Sequence, residues 1–178
     1  MIEVLWHGRG GQGAFTAARI LGAAYSFKGE NFFALAFPSF GPERRGAPIR
    51  AFTKLNDKPL HNRSEIKKSD YIIFLDDTLF SQDSLKTLKE NGKIILNTTA
   101  TYKEPSIITL DATKIASEIL GLRVANTVML GALLAFCDKV SVKDIEFAIE
   151  RTMPQKLWNG NKAVITAAYN ALTKGATA

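Results

Sequence analysis

A chain of 178 residues with 46% hydrophobic and 22% charged residues has the composition of one ordinary globular domain, expected to span 1–178. One cysteine, Cys137, and two histidines, His7 and His61, exclude an internal disulfide, an iron–sulfur cluster or a structural zinc held by this chain alone. The formal charge of +6 suits an anionic ligand, an acidic partner surface or a merely solvated basic one, while neither a nucleic-acid stripe nor a membrane span of roughly 18 apolar residues is readable.

The N-terminus, MIEVLW, lacks the charged start and cleavage site of a signal peptide, so the expected address is cytoplasmic. Residues 2–6 form a short apolar run and predict a strand. Gly8 to Gly13 follow, and 14–28 carry a helical stripe closed by Gly29. Residues 32–37 (FFALAF) predict a second buried strand, ended by Pro38. Three prolines and two glycines make 38–48 a loop. Alternation at 49–55 predicts a half-exposed strand, and 57–69 is a polar connection.

Residues 71–75 (YIIFL) have the apolar density of a central strand. A helix is expected near 78–90, stopped by Asn91-Gly92, before a strand at 93–97. A short strand at 107–110 and a helix at 112–120, stopped by Gly121, come next. Helices at 124–137, 142–152 and 158–173 complete the chain, with Ser141 and Asp144 spaced as a capping box. Strands alternating with helices predict an α/β fold, Rossmann-like, with a largely parallel sheet flanked by helices and a helical C-terminal block.

His7-Gly8-Arg9-Gly10-Gly11-Gln12-Gly13 contains G-x-G-x-x-G between a strand and a helix, the context that gives the spacing meaning. Such glycines let backbone approach a ligand closely, and the unpaired N–H groups of the helix start attract anions. Arg9 adds a mobile positive charge. A dinucleotide would want an acid at the end of the second strand, where this chain has Ala36-Phe37-Pro38. NAD therefore loses ground, and a phosphate cradle or a purely architectural turn remain.

Gly41-Pro42-Glu43-Arg44-Arg45-Gly46-Ala47-Pro48 follows the second strand, at the same carboxyl edge of a parallel sheet. Paired arginine forks suit phosphate or carboxylate, and equally an acidic subunit surface. Asp76-Asp77 and Asn97-Thr98-Thr99 end strands at that edge, with Asp77 expected to cap the next helix. Asn126 and Thr127 open an apolar helix, as ligand contacts or caps. His7 is expected to be a hydrogen-bonded structural residue and Cys137 a buried small hydrophobe. Phe32, Phe33, Phe37 and Phe40 are expected in the core or a subunit interface. No nucleophile–base set is readable.

Taken together, HGRGGQG, AFPSFGPERRGAPIRAF and VANTVMLGALL resemble the gamma subunit of 2-oxoacid:ferredoxin oxidoreductases, over nearly the whole chain and with the pyruvate and branched-chain enzymes nearest. The resemblance implies a subunit of an assembly that oxidatively decarboxylates pyruvate or a related 2-oxoacid to an acyl-CoA and passes electrons to ferredoxin. It implies that alpha, beta and delta-type partners hold the thiamine diphosphate, magnesium and iron–sulfur clusters, while this chain serves CoA binding and packing. On that basis Gly8, Arg9, Gly10, Gly11, Gln12 and Gly13 are expected to receive phosphate, and Arg44 and Arg45 to neutralise further charge. Asn97 and Asn126 are expected to reach the same ligand. No catalytic residue and no metal ligand is expected here. The alternatives are a free-standing nucleotide-binding Rossmann reductase and a purely structural adaptor.

Overall fold

Alternation along the first strand sets the two faces of the molecule. In a computed structural model, which describes residues 1–39 and 45–173, β1 (Ile2–Arg9) turns Val4 and Trp6 into one core and Leu5 into another. A fixed period of two makes this unavoidable once the strand is central. The strand order is β2-β3-β1-β4-β5-β6, with β2 at Phe33–Pro38, β3 at Pro48–Asn56, β4 at Ser69–Phe74, β5 at Leu88–Asn97 and β6 at Ile107–Leu110.

Strands β1, β4, β5 and β6 are mutually parallel, and β3 runs against both β1 and β2. The sheet is therefore mixed. The link from Pro38 to Pro48 is too short for the crossover of about a dozen residues that parallel neighbours need, so β2 and β3 pair antiparallel.

The five α-helices among the described residues all feed the core that holds Val4 and Trp6: α1 (Ala14–Ser26), α2 (Ala112–Leu120), α3 (Asn126–Leu134), α4 (Val142–Thr152) and α5 (Trp158–Thr173). Every residue of α3 is buried, which explains its lack of a polar face. Each fully buried Leu or Met there contributes about 1.5–3 kcal/mol. Gly131 allows the close crossing of α3 and α5, since a Cβ there would stand 2.5 Å from the Ile165 carbonyl oxygen. Two polar side chains in this core pair in sequence: Trp6 Nε1 donates to Thr53 Oγ1 at 3.1 Å, and Thr53 donates to the Ala18 carbonyl at 3.1 Å.

The opposite face holds Leu5, Phe37, Phe52, Ile72, Phe74, Ile94 and Leu96, covered by short connections. Lys54, 4% exposed, fixes one of them by donating to the Asn62 and Ser64 carbonyls at 3.2 and 2.9 Å. The helix expected near 78–90 is absent. Two 3₁₀ turns, Asp77–Leu79 and Gln82–Thr87, stand in its place, and β5 begins at Leu88. Ser81, Gln82, Asp83, Ser84 and Thr87 include several side chains that compete for backbone groups and weaken a helix. The extended backbone at Phe80 accompanies edge-on packing against Phe74 and Tyr102 at 5.6 and 5.4 Å. Asn91, at φ 63, forms an irregularity within β5 instead of stopping a helix, and the pairing to β4 shifts register there.

Other boundaries move less. Helix α1 ends at Ser26 with Phe27 as its cap, and Gly29 lies beyond. The helix expected at 124–137 spans 126–134, so Cys137 follows its end, 1% exposed. The Ser141–Asp144 capping box and the left-handed Gly121 cap are both present. Phe37 is buried and stacks on Phe52 at 5.1 Å, Phe32 packs edge-on against Tyr25 at 5.2 Å, and Phe33 is half-buried. Phe40 lies outside the described residues.

Candidate functional site

Connections from β1 run toward β3 on one side, and those from β4 run toward β6 on the other, so a crevice opens between β1 and β4 at the carboxyl ends of the strands. A cavity of about 700 Å³ lies at this edge. Gln12, Asp76, Asp77, Asn97, Thr98 and Asp111 line it, with Thr113, Lys114, Glu118 and Arg123 from α2 and the loop after it. A smaller cavity of about 140 Å³ shares Gln12, Asn97, Thr113 and Arg123 with it and adds Gly11, Val124 and Ala125.

The glycine turn is more architectural than its spacing suggests. β1 runs through Gly8 to Arg9, and Gly8 sits where a Cβ would meet Leu75 and Ala14 at 3.2 and 3.3 Å. Gly13 is left-handed at φ 83 and lies under Asn126, whose Nδ2 would stand 2.5 Å from an added Cβ. Gly10 is bonded on both sides to the following loop: its N–H donates to the Ala47 carbonyl at 2.9 Å, and its carbonyl accepts from Gly46 at 3.1 Å. Gly11, at φ 96, faces open space and lines the smaller cavity, while Gln12 lines both.

Arg9 is not mobile. Its Nε donates to Asp76 at 2.9 Å, its Nη2 to Thr78 Oγ1 at 2.8 Å and its Nη1 to the Gly46 carbonyl at 3.2 Å. Asp76 also accepts from Gln12 Nε2 at 3.2 Å, while Gln12 Oε1 accepts from the Arg9 N–H at 2.7 Å. Burial works against ionisation of Asp76, but hydrogen bonds from Thr78, Gln12 and Arg9 outweigh it and hold the carboxyl below its ordinary range. Asp76, rather than Asp77, caps the following turn; Asp77 accepts from Thr98 Oγ1 at 2.7 Å.

The other expected residues divide. Arg45 is exposed and bridges to Gly10, whereas Arg44 lies outside the described residues. Asn97 ties strands to α2: its Nδ2 donates to the Leu75 carbonyl and to Thr113 Oγ1 at 2.9 and 3.0 Å, and its Oδ1 accepts from the Thr113 N–H at 3.2 Å. Asn126 donates to the Gly13 carbonyl at 3.3 Å, and Thr127 donates to Asn161 at 2.7 Å; neither caps α3. His7 stacks on Phe74 at 4.5 Å, on the face away from the helices. Burial first, and then the Arg50 charge, push its pKa down to about 4. Its ring makes none of the hydrogen bonds found among the described residues, so aromatic packing replaces the expected polar partner. Asp111, Thr113, Lys114 and Arg123 were not anticipated in the crevice; the strand-to-helix junction at Leu110-Asp111 was the available signal, and Asp111 indeed caps α2.

The lining therefore sets four carboxylates, Asp76, Asp77, Asp111 and Glu118, against two cations, Lys114 and Arg123. With Asp76 paired to Arg9, the lining itself carries no surplus of positive charge. No group of three His, Cys, Asp or Glu among the described residues is placed to hold a metal, and no helix there is long and apolar enough to cross a membrane.

The family model described as pyruvate ferredoxin/flavodoxin oxidoreductase matches residues 3–171. The chain belongs to this family. It is 43% identical to pyruvate synthase subunit PorC of Methanothermobacter marburgensis, over 97% of this chain and 98% of that protein. It is 42% identical to the common gamma subunit of the pyruvate/ketoisovalerate oxidoreductases of Thermococcus litoralis, over 95% and 96%. The crystal structure of pyruvate oxidoreductase subunit PORC from Thermotoga maritima matches at TM-score 0.81 and 32% identity, covering 95% of each chain. A 2-oxoglutarate:ferredoxin oxidoreductase from Magnetococcus marinus shares the fold at TM-score 0.75 and 17% identity, over 98% of this chain and 31% of that one. The chain is thus a gamma subunit of a pyruvate/2-oxoacid ferredoxin oxidoreductase, as the sequence resemblance implied, and part of an oxidoreductase complex.

Proposed function

We propose that this gamma subunit is a non-catalytic, cytoplasmic component that organises the complex and lends one edge to a CoA site completed by its partners. The observation that carries the reading is the charge of the crevice. Its carboxylates outnumber its own cations, Lys114 and Arg123, and Arg9 beside it is already paired with Asp76. What this chain still offers an anion is the open backbone at Gly11 and the exposed Arg45, next to Arg44 in the sequence; the Gln12 backbone and side-chain amides are already engaged by the Arg9 carbonyl and Asp76. Desolvated phosphate needs several such donors at once, so further basic groups have to come from neighbouring subunits.

The partners on this reading are the alpha, beta and delta-type subunits that hold thiamine diphosphate, magnesium and iron–sulfur clusters, with ferredoxin engaged through the complex. Thiamine diphosphate supplies the decarboxylation chemistry when bound in those partners; this chain's residues position and pack. The combined Arg44→Ala/Arg45→Ala substitution in the assembled complex tests the ligand part. Affinity for CoA is expected to fall about 10- to 100-fold, as two charge-assisted contacts are lost. Unchanged affinity would leave the subunit a purely structural adaptor, a role that the close packing at Gly8 and Gly13 already suits.

A further inference from the structure

The densest polar network at the carboxyl edge involves three separate segments: the turn at 9–12, the loop at 45–47 and the connection at 76–78. Arg9 uses each nitrogen of its fork on a different partner, Asp76, Gly46 and Thr78, at 2.9, 3.2 and 2.8 Å. Asp76 sits at the centre. One oxygen accepts from Arg9 and Gln12, and the other accepts from the backbone and hydroxyl of Thr78. Two backbone bonds, Gly10 to Ala47 at 2.9 Å and Gly46 to Gly10 at 3.1 Å, fasten the same loop to the turn.

An isolated exposed ion pair would contribute little to stability. Here the Arg9 and Asp76 side chains are 35% and 17% exposed, and the fork satisfies carboxylate, carbonyl and hydroxyl in one plane. Such an arrangement buys local order. We propose that Asp76 is a positioning residue: acting through Arg9, it fixes residues 45–47 against the glycine turn and so sets where Arg45 stands. The positioning is a statement about this chain; its consequence for CoA rests on the function proposed above.

The assembled complex carrying Asp76→Asn, Arg9→Lys or both tests this, read by hydrogen exchange at the Gly10 and Gly46 amides and by CoA saturation kinetics. Each single substitution is expected to speed exchange at both amides about tenfold, leaving the buried Ile73 amide unchanged. Arg9→Lys keeps the charge but one ammonium cannot span three partners, so its failure to preserve protection marks geometry over charge. The double substitution is expected to equal the singles, because the two residues act as one unit. The KM for CoA rises about three- to tenfold with a much smaller change in kcat. Unchanged exchange at Gly10 and Gly46 in both singles, or fully additive effects in the double, overturns the proposal. Faster exchange with an unchanged KM supports the positioning and overturns the CoA reading. If Asp76→Asn fails to assemble, Arg9→Lys and Thr78→Val carry the same readouts and the same criteria.

Discussion

His7 is the residue whose protonation most directly reports the fold. In the unfolded chain it takes a proton near its ordinary 6.5, and in the folded chain near 4. Between those values the unfolded state binds more protons, so stability falls as pH drops, by up to about 3 kcal/mol. Urea unfolding of His7→Leu across this range is expected to lose most of that slope; a parent-like slope would contradict the assignment. Asp76 acts in the window below. Its lowered carboxyl pKa contributes stability at higher pH that disappears as pH falls through its folded value. Which of two adjacent aspartates caps the turn was not legible in the sequence, since only the extended backbone of Asp76, φ −140 and ψ 116, distinguishes them. Arg9 misled for a similar reason: its partners lie 37 to 69 residues away along the chain.

At the scale of elements, local signals placed what local physics decides. The helical stripe of α1, the capping box of α4 and the left-handed Gly121 follow from spacing and side-chain chemistry. The connection between β4 and β5 does not, because burial of Phe80 against Phe74 and Tyr102 is a tertiary effect that periodicity within 78–90 cannot register. The crossing of α3 and α5 offers a sharp test. Gly131→Ala would set a methyl 2.5 Å from the Ile165 carbonyl oxygen and 2.7 Å from its Cα, both backbone atoms with little room to yield. Thermal unfolding is expected to show a loss of about 1–3 kcal/mol or more. A neutral effect would mean that the helices separate without penalty. Gly11→Ala serves as the contrast: no atom would stand within 4 Å of its Cβ, leaving only the φ +96 strain of about 1 kcal/mol.

For the whole molecule, the sheet edge that gathers the glycine turn, the arginine loop and Asn97 was legible because strand ends in a parallel set must share an edge. The electrostatics of that edge were not. The glycine spacing and net charge of +6 suggested an anion trap, yet the carboxylates of the crevice, from the connections after β4 and β6 and from helix α2, outnumber the cations that line it. A site of this kind makes sense in a subunit rather than in a free-standing reductase. Purification from the native source is expected to yield this chain within a brown complex of larger, cluster-bearing partners; a colourless lone chain with full activity would contradict the assembly role. The most direct measurement is calorimetric titration of CoA into the isolated chain and into the assembled complex. The account predicts no measurable binding to the isolated chain and clear binding to the complex. Equal affinity in the two would show that this chain completes the site by itself, and would contradict the account.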